Sequence, residues 1–277
     1  MSSKLLTHRM ALCNMVRRFA VEAGELTLEY FDGIRDMQEE RKGDGSPVTM
    51  ADREAERLIR ERLLGVFSDI PVIGEESFAG GERITFSDHE YFWLVDPVDG
   101  TKAFIAGEGD FTVNIGLIHN NEPVLGVIYA PEKGELYAGY TDDSGSKALR
   151  YFEDSDTEKE IRSRKMPKQG LTVMSSNYHG NVAPQDNLLE GFKVNKIIRK
   201  SSSLKICEIA NGKADIYPRL GPTCEWDTAA GHAILKAAGG DIVDMSGKCL
   251  KYGGNHPELN NPHFIAASSD LLSCGIF

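Results

Sequence analysis

Phe92-Trp-Leu-Val-Asp96-Pro-Val-Asp99-Gly-Thr101-Lys-Ala-Phe-Ile105 is the stretch around which the chain is organised. With Tyr91, the apolar and aromatic run to Val95 reads as a buried strand. Pro97 has no N–H to give to a ladder, so pairing is expected to stop there. Asp99-Gly100 signals a turn, and Thr101 to Ile105 then opens a helix whose first amides have no partner inside it. Such a start attracts anions, yet two carboxylates stand beside it. Divalent cations reconcile the two, with acids holding metal, metal holding phosphate, and helix amides holding the remaining phosphate oxygens. Read alone, Asp96 and Asp99 would equally well shape a strand-to-helix turn.

Upstream, Thr7 to Phe31 places Leu12, Met15, Val16, Phe19, Ala20, Ala23 and Leu26 at helical spacing, which predicts one amphipathic helix ending before Asp32-Gly33. Met37 to Gly45 is charged and reads as a solvated loop. A second helix follows Ser46, with Ala55, Leu58, Ile59, Leu63 and Val66 on its inner face. Thr49 with Asp52 three residues on resembles a capping box, so Asp52 either serves the helix start or is presented from it to the metals. Asp69 to Gly74 is a short strand delivering Glu75-Glu76, of which one acid can turn inward to a metal; a polar loop start is the plainer reading.

Downstream, Phe111 to His119, Glu122 to Ala130 and Leu136 to Tyr140 alternate as an antiparallel meander, with Asn120-Asn121 and Glu132-Lys133-Gly134 as turns. Thr141 to Lys168 is polar, and the domain boundary is placed near its end, giving residues 1–168 and 169–277. The second half alternates: strands at Leu171–Ser175, Val194–Ile198, Ala214–Pro218, Asp241–Met245 and His263–Ala267. Helices are expected at Ala183–Glu190, Ser202–Asn211 and Asp227–Ala238, with another at the C-terminus. The class is α/β, an α+β first half followed by an α/β second half. In Gly221-Pro-Thr-Cys-Glu-Trp-Asp-Thr-Ala-Ala-Gly-His232 a loop again delivers an acid, Asp227, to a first helical turn, where it is either a ligand or a cap.

Composition narrows the function. A net charge of −11 argues against a nucleic-acid scaffold, although bound cations would still admit a small anionic substrate. There is no apolar run long enough for a transmembrane segment and no secretory signal pattern. Five cysteines without a Cys-x-x-Cys pair fit free thiols in a reducing cytoplasm. Four separated acidic sites, Asp52, Glu75, Asp96/Asp99 and Asp227, lie at the ends of expected elements. Oxygen-only ligands without His or Cys suit Mg²⁺ rather than zinc.

Val48-Thr-Met-Ala-Asp52, Gly74-Glu-Glu-Ser77, Asp96-Pro-Val-Asp-Gly-Thr101 and Trp226-Asp-Thr-Ala-Ala-Gly231 occur in that order. Together they resemble the signature of the magnesium-dependent, lithium-sensitive phosphomonoesterases: inositol monophosphatases, fructose-1,6-bisphosphatases and 3'(2'),5'-bisphosphate nucleotidases. The resemblance implies a layered αβαβα sugar-phosphatase fold. Gly221 to His232, Ser202-Ser-Leu-Lys-Ile-Cys207 and Ala214-Asp-Ile-Tyr-Pro-Arg219 are most similar to the bacterial bisphosphate nucleotidases. The implied substrate is the small-molecule nucleotide adenosine 3',5'-bisphosphate, hydrolysed to AMP and phosphate in sulfur assimilation or nucleotide recycling. 3'-Phosphoadenylyl sulfate is a further implied substrate, and inositol monophosphatase is the alternative activity.

By the same resemblance, Glu75, Asp96, Asp99, Asp227 and the Val98 carbonyl hold two or three Mg²⁺, or Mn²⁺ in their place. Asp52 and Thr101 orient and deprotonate the attacking water, and the Gly100 and Thr101 amides bind phosphate oxygens. Ser202, Lys205, Arg219 and Asp227 meet the nucleotide, although Lys205 and Arg219 would by themselves read as a solvated face. Tyr178 or His179 stacks on the base, and His232 is a structural helix residue. The enzyme is expected to act as a monomer or homodimer in the cytoplasm or at the inner face of the membrane. A metal-stabilised binding protein is the non-enzymatic alternative; Thr101, which completes a water-activating pair, argues against it.

Overall fold

The computed structural model describes residues 2–43, 45–177, 189–254 and 256–274. Among the described residues the strands are β1 (Glu40–Arg41), β2 (Pro47–Val48), β3 (Val72–Gly74), β4 (Tyr91–Asp99), β5 (Thr112–His119), β6 (Glu122–Ala130) and β7 (Glu135–Asp142), then β8 (Gly145–Phe152), β9 (Thr157–Glu160), β10 (Leu171–Ser176), β11 (Val194–Lys200), β12 (Ile216–Arg219), β13 (Gly240–Asp244) and β14 (Phe264–Ser268). β3 to β9 form one sheet in sequence order, with β3 parallel to β4 and every later pair antiparallel. The second sheet runs β11-β10-β12-β14-β13 and is mixed.

Period-two alternation decides which side each strand buries. Val127 joins Trp93, Val95 and Ile115 beneath the helices Arg9–Phe31 and Met50–Val66, whose Leu12, Val16, Phe19, Ile59 and Leu63 complete that core. Ile128, next along the strand, faces the opposite way with Tyr137, toward Ala230 and Ile234 of the helix Glu225–Ala237. The second sheet lies beyond that helix, and its far face packs Leu171, Ile216, Val243 and Ile265 against Leu271 of the helix Ser269–Leu272. The order is helices, sheet, helices, sheet, helix, which is the layered αβαβα arrangement.

Three glycines paired across adjacent strands, Gly116, Gly126 and Gly139, make the seat for the central helix. A Cβ on Gly126 would lie 2.1 Å from the Ala230 carbonyl oxygen, and one on Gly139 would lie 2.7 Å from the Ile234 Cα. Real Cβ atoms do not approach that closely, so only glycine lets the helix carrying Asp227 lie directly on the sheet.

The structure departs from the sequence expectations in three places. Pairing of β4 does not end at Pro97: Asp96 pairs with Asn114 and Asp99 with Thr112, so β4 carries one residue more than β5 between them. This is a bulge, and proline fits there because the ladder does not need its N–H. The polar stretch after Thr141 is not a linker throughout, since β8 and β9 extend the sheet at its edge, where side chains face solvent. The loop Met37–Gly45 contains β1, which pairs with β2 as a short hairpin. The expected helix Ala183–Glu190 falls largely outside the described residues, as do Tyr178 and His179.

Candidate active site

A cavity of about 380 Å³ opens where β4, the start of the helix Glu225–Ala237 and the segment 201–219 meet. Glu75, Asp96, Val98, Asp99, Gly100, Thr101, Ser202, Lys205, Arg219 and Asp227 all line it. Asp52 stands immediately behind Thr101, buried. The acids expected from distant parts of the chain do converge.

Both acids that the sequence offered as helix caps do cap, and both also stand at the cavity, Asp227 in its wall and Asp52 behind Thr101. Asp52 occupies the third position of its helix, where Oδ2 accepts from the Thr49 amide at 2.8 Å and the Thr49 hydroxyl at 2.6 Å. Its Oδ1 accepts from Thr101 Oγ1 at 3.4 Å. The Thr101 hydroxyl has one proton and a second acceptor in reach, the Val98 carbonyl at 3.1 Å. Asp227 repeats the pattern, with Oδ2 accepting from the Cys224 amide at 2.9 Å. Glu75 opens the helix Glu75–Ala79, whose next two amides are held at 2.7 and 2.8 Å by the buried Glu56 carboxylate. Gly100 turns β4 into the helix Thr101–Ile105 with φ of 97°, where a side chain would also press on the Asp110 carbonyl.

Carboxylate oxygens of Glu75, Asp96 and Asp227 lie within 4.8 Å of one another. Burial raises Asp96 well above the usual carboxylate range, and the charges of Glu75, Asp99 and Asp227 raise it further. Asp227 is raised in the same way by burial, then by Asp99 and Glu75. Such a cluster stores repulsion that a divalent cation would relieve, and all-oxygen donors suit a hard ion such as Mg²⁺ or Mn²⁺. The residues therefore fit a metal of the expected kind.

Asp99 stands apart from that trio. Its Oδ2 accepts from Ser203 Oγ at 2.6 Å and from Asn114 Nδ2 at 3.3 Å. Ser203 lies within the quoted Ser202–Cys207 stretch, but nothing in it marked Ser203 as the partner of Asp99, and Asn114 was only a polar residue in an apolar strand. Lys42 was missed outright. It reaches from the β1–β2 hairpin to Glu75 Oε1 and Glu76 Oε1, both at 2.5 Å, although its stretch read as solvated. Burial alone would lower the Lys42 pKa, but the two glutamates hold it above its ordinary value. Glu75 is raised by burial against the pull of Lys42.

Lys205 and Arg219 are buried rather than solvated. Burial pushes the Lys205 ammonium down to about 8 despite the field of Asp99, and its hydrogen bond goes to the Ser202 carbonyl at 2.5 Å. Arg219 donates through Nη2 to the Pro222 carbonyl at 2.8 Å, while its buried Nε has no hydrogen-bond partner among the described residues. Ser202 holds a left-handed φ of 54° at the cavity wall. His232, expected to be structural, is buried between Asp241 and Tyr252, with Nε2 and Nδ1 at 2.6 and 2.9 Å from their oxygens.

Comparison with known proteins agrees with this arrangement. The profile of the "Inositol monophosphatase family" matches residues 11–273. The 3'(2'),5'-bisphosphate nucleotidase CysQ of Escherichia coli (strain K12) is 38% identical over 249 residues, covering 90% of this chain and 97% of that protein. CysQ of Haemophilus influenzae is 32% identical over 267 residues, 94% of each chain. Among solved structures, CysQ from Bacteroides thetaiotaomicron, a bacterial member of the inositol monophosphatase family, superposes with a TM-score of 0.72 at 32% identity, covering 92% of this chain and 95% of the other.

Proposed function

The chain belongs to the inositol monophosphatase family and is a phosphatase, and from that premise we propose that it removes the 3'-phosphate of adenosine 3',5'-bisphosphate, giving AMP and phosphate. The observation that carries the choice of substrate is the pair of buried cations in the same cavity as the acids. Among the described residues neither Lys205 nor Arg219 makes an ion pair, and Arg219 Nε is left without a partner. A buried guanidinium with an unsatisfied donor is costly unless an acceptor completes it, and an anion bound in the cavity would do so. A bisphosphate offers a second phosphate for that purpose, and an inositol monophosphate does not. The similarity to named bisphosphate nucleotidases over 90% of the chain points the same way.

In this reading Glu75, Asp96, Asp99, Asp227 and the Val98 carbonyl hold the Mg²⁺ ions. A divalent cation held there would supply charge neutralisation of the acids and the phosphoryl group and a lowered water pKa. Thr101 Oγ1 accepts a hydrogen bond from the attacking water and turns its own proton toward Asp52 Oδ1. Burial, offset in part by the Thr49 bonds, raises Asp52 to about 6. It is therefore ionised at neutral pH and still basic enough to take a proton. The water attacks phosphorus opposite the 3'-oxygen, which leaves and is protonated from solvent; no covalent enzyme intermediate forms. Ser202, Lys205 and Arg219 hold the nucleotide with its 5'-phosphate. Residues 1–168 thus supply most of the metal chemistry and residues 169–277 the nucleotide side, with Asp227 crossing between them. Lithium inhibition, turnover of 3'-phosphoadenylyl sulfate and a cytoplasmic place in sulfur assimilation belong to the same proposal.

Phosphate release in Mg²⁺ from adenosine 3',5'-bisphosphate and from inositol 1-phosphate, compared by kcat/KM, tests the substrate. A preference for the inositol compound would replace this reading with that of an inositol monophosphatase. Thr101→Ala is expected to bind Mg²⁺ with unchanged affinity while losing turnover, and unchanged turnover would remove Thr101 from the chemistry.

A further inference from the structure

Ser203 sits where the two halves of the cavity touch. Its Oγ lies 2.6 Å from Asp99 Oδ2 and 2.8 Å from the Asp227 carbonyl oxygen, and it accepts from Asn114 Nδ2 at 2.8 Å. One hydroxyl thus bridges β4, which carries Asp99, to the helix that carries Asp227. Asn114 belongs to β5, opposite Asp96 in the ladder, and its second amide hydrogen reaches Asp99 Oδ2 at 3.3 Å. The Asn114 Oδ1 is buried with no hydrogen-bond partner among the described residues, so the side chain is held by what its amide donates.

The residues flanking Ser203 face the other task. Ser202, at φ of 54°, lines the cavity, and its carbonyl receives the Lys205 ammonium at 2.5 Å. Ser201 Oγ accepts from Asn177 Nδ2 at 3.3 Å. A nucleotide that shifts Ser202 or Lys205 therefore moves the backbone from which the Ser203 hydroxyl projects. The Ser203 hydroxyl has one proton for two acceptors; given to Asp99, the nearer one, it joins Asn114 in engaging Oδ2 and leaves Oδ1 for a cation.

We propose that Ser203 is a positioning residue that couples divalent-cation binding at Asp99 to occupancy of the nucleotide side of the cavity. This rests on the metal reading given above. Losing a hydrogen bond that orients a metal ligand costs about ten- to a hundredfold in metal affinity. Linkage requires that whatever the nucleotide does to cation affinity, the cation does equally to nucleotide affinity.

Titration of the full-length protein with Mn²⁺, followed calorimetrically with and without saturating AMP and without turnover, reads both quantities. The wild type is expected to bind Mn²⁺ more tightly when AMP is present. Ser203→Ala should weaken Mn²⁺ about tenfold and lose the enhancement by AMP. Ser203→Thr, which keeps the hydroxyl, should retain both. Ser203→Cys keeps the volume but donates weakly, so it should behave like the alanine variant and serves if that variant does not fold. Unaltered Mn²⁺ affinity and undiminished AMP enhancement in both the alanine and cysteine variants would overturn the role of Ser203 while leaving the metal site standing. Wild-type protein that binds no Mn²⁺, or binds it as well after Asp96→Asn, would overturn the metal reading and this inference together.

Discussion

Replacing Asp52 by asparagine should make the metal-free protein more stable at neutral pH while disabling it. The Asp52 carboxyl is 1% exposed and is raised from 3.8 to about 6, first by burial and then by the charge of Glu75, against the Thr49 hydrogen bonds. Because the folded value lies above the unfolded one, the folded state holds the proton more tightly. The favourable contribution is full below about pH 4 and is lost as pH rises through about 6. At 1.36 kcal/mol per unit, that displacement is worth about 3 kcal/mol. Asparagine has no charge to desolvate, but it weakens the bonds to the Thr49 amide and hydroxyl, a pH-independent loss of about 1–2 kcal/mol. Urea unfolding in EDTA at pH 4.5 and 7.5 separates the two effects, since the pH-independent loss cancels in the difference. The variant should gain about 2 kcal/mol relative to wild type between the two pH values, since pH 4.5 is still above the unfolded pKa. It should lose about 10²–10⁴-fold in kcat at pH 7.5 with Mg²⁺ present. A stability difference that is the same at both pH values would refute the account of Asp52 as a carboxylate strained by burial.

Other outcomes follow from the same geometry. Mg²⁺ at a hundred times its Kd should stabilise the wild type by about 2.7 kcal/mol, read as a rise in Tm. Asp96→Asn should raise the Tm in EDTA by removing one charge from the buried cluster and should abolish most of the Mg²⁺ response; an undiminished response would place the metal elsewhere. Arg219→Gln should raise KM for adenosine 3',5'-bisphosphate about ten- to a hundredfold, the loss of a charged contact of about 1.5–3 kcal/mol. It should leave 3'-AMP, which lacks the 5'-phosphate, nearly unaffected; equal losses on both compounds would remove Arg219 from the 5'-phosphate. Gly126→Ala should destabilise by at least about 1–3 kcal/mol, because its Cβ would lie 2.1 Å from the Ala230 carbonyl. A chemical-denaturation midpoint equal to wild type would show that the helix is not seated as described.

Periodicity made much of this architecture legible. Leu12, Val16 and Phe19 fall at helical spacing and do form one core face, while Val127 and Ile128 point to opposite sides of one strand as alternation requires. Asn120 and Asn121 adopt φ of 49° and 64°, the left-handed pair that a two-residue hairpin between β5 and β6 needs. Strands at a sheet edge were harder to see. β9 buries almost nothing, so Thr157 to Glu160 had no apolar pattern to read. Lys42, Ser203 and Asn114 had no local signature either, because the partners that give them meaning are 33, 104 and 89 residues away in the chain.

The order and chemistry of the site came from the chain alone. Acids without histidine or cysteine, each at the end of an element, suit a hard cation, since ligand type is a property of the side chain itself. Which acids stand close enough to share a cation was decided only by the tertiary structure. The bulge at Pro97 aims Asp96, the glycine seat lets the central helix bring Asp227 within reach of Glu75, and Ser203 turns one oxygen of Asp99 aside. Those are distances across layers, and a sequence that fixes each layer's buried face does not by itself fix how far apart the groups on two layers will stand.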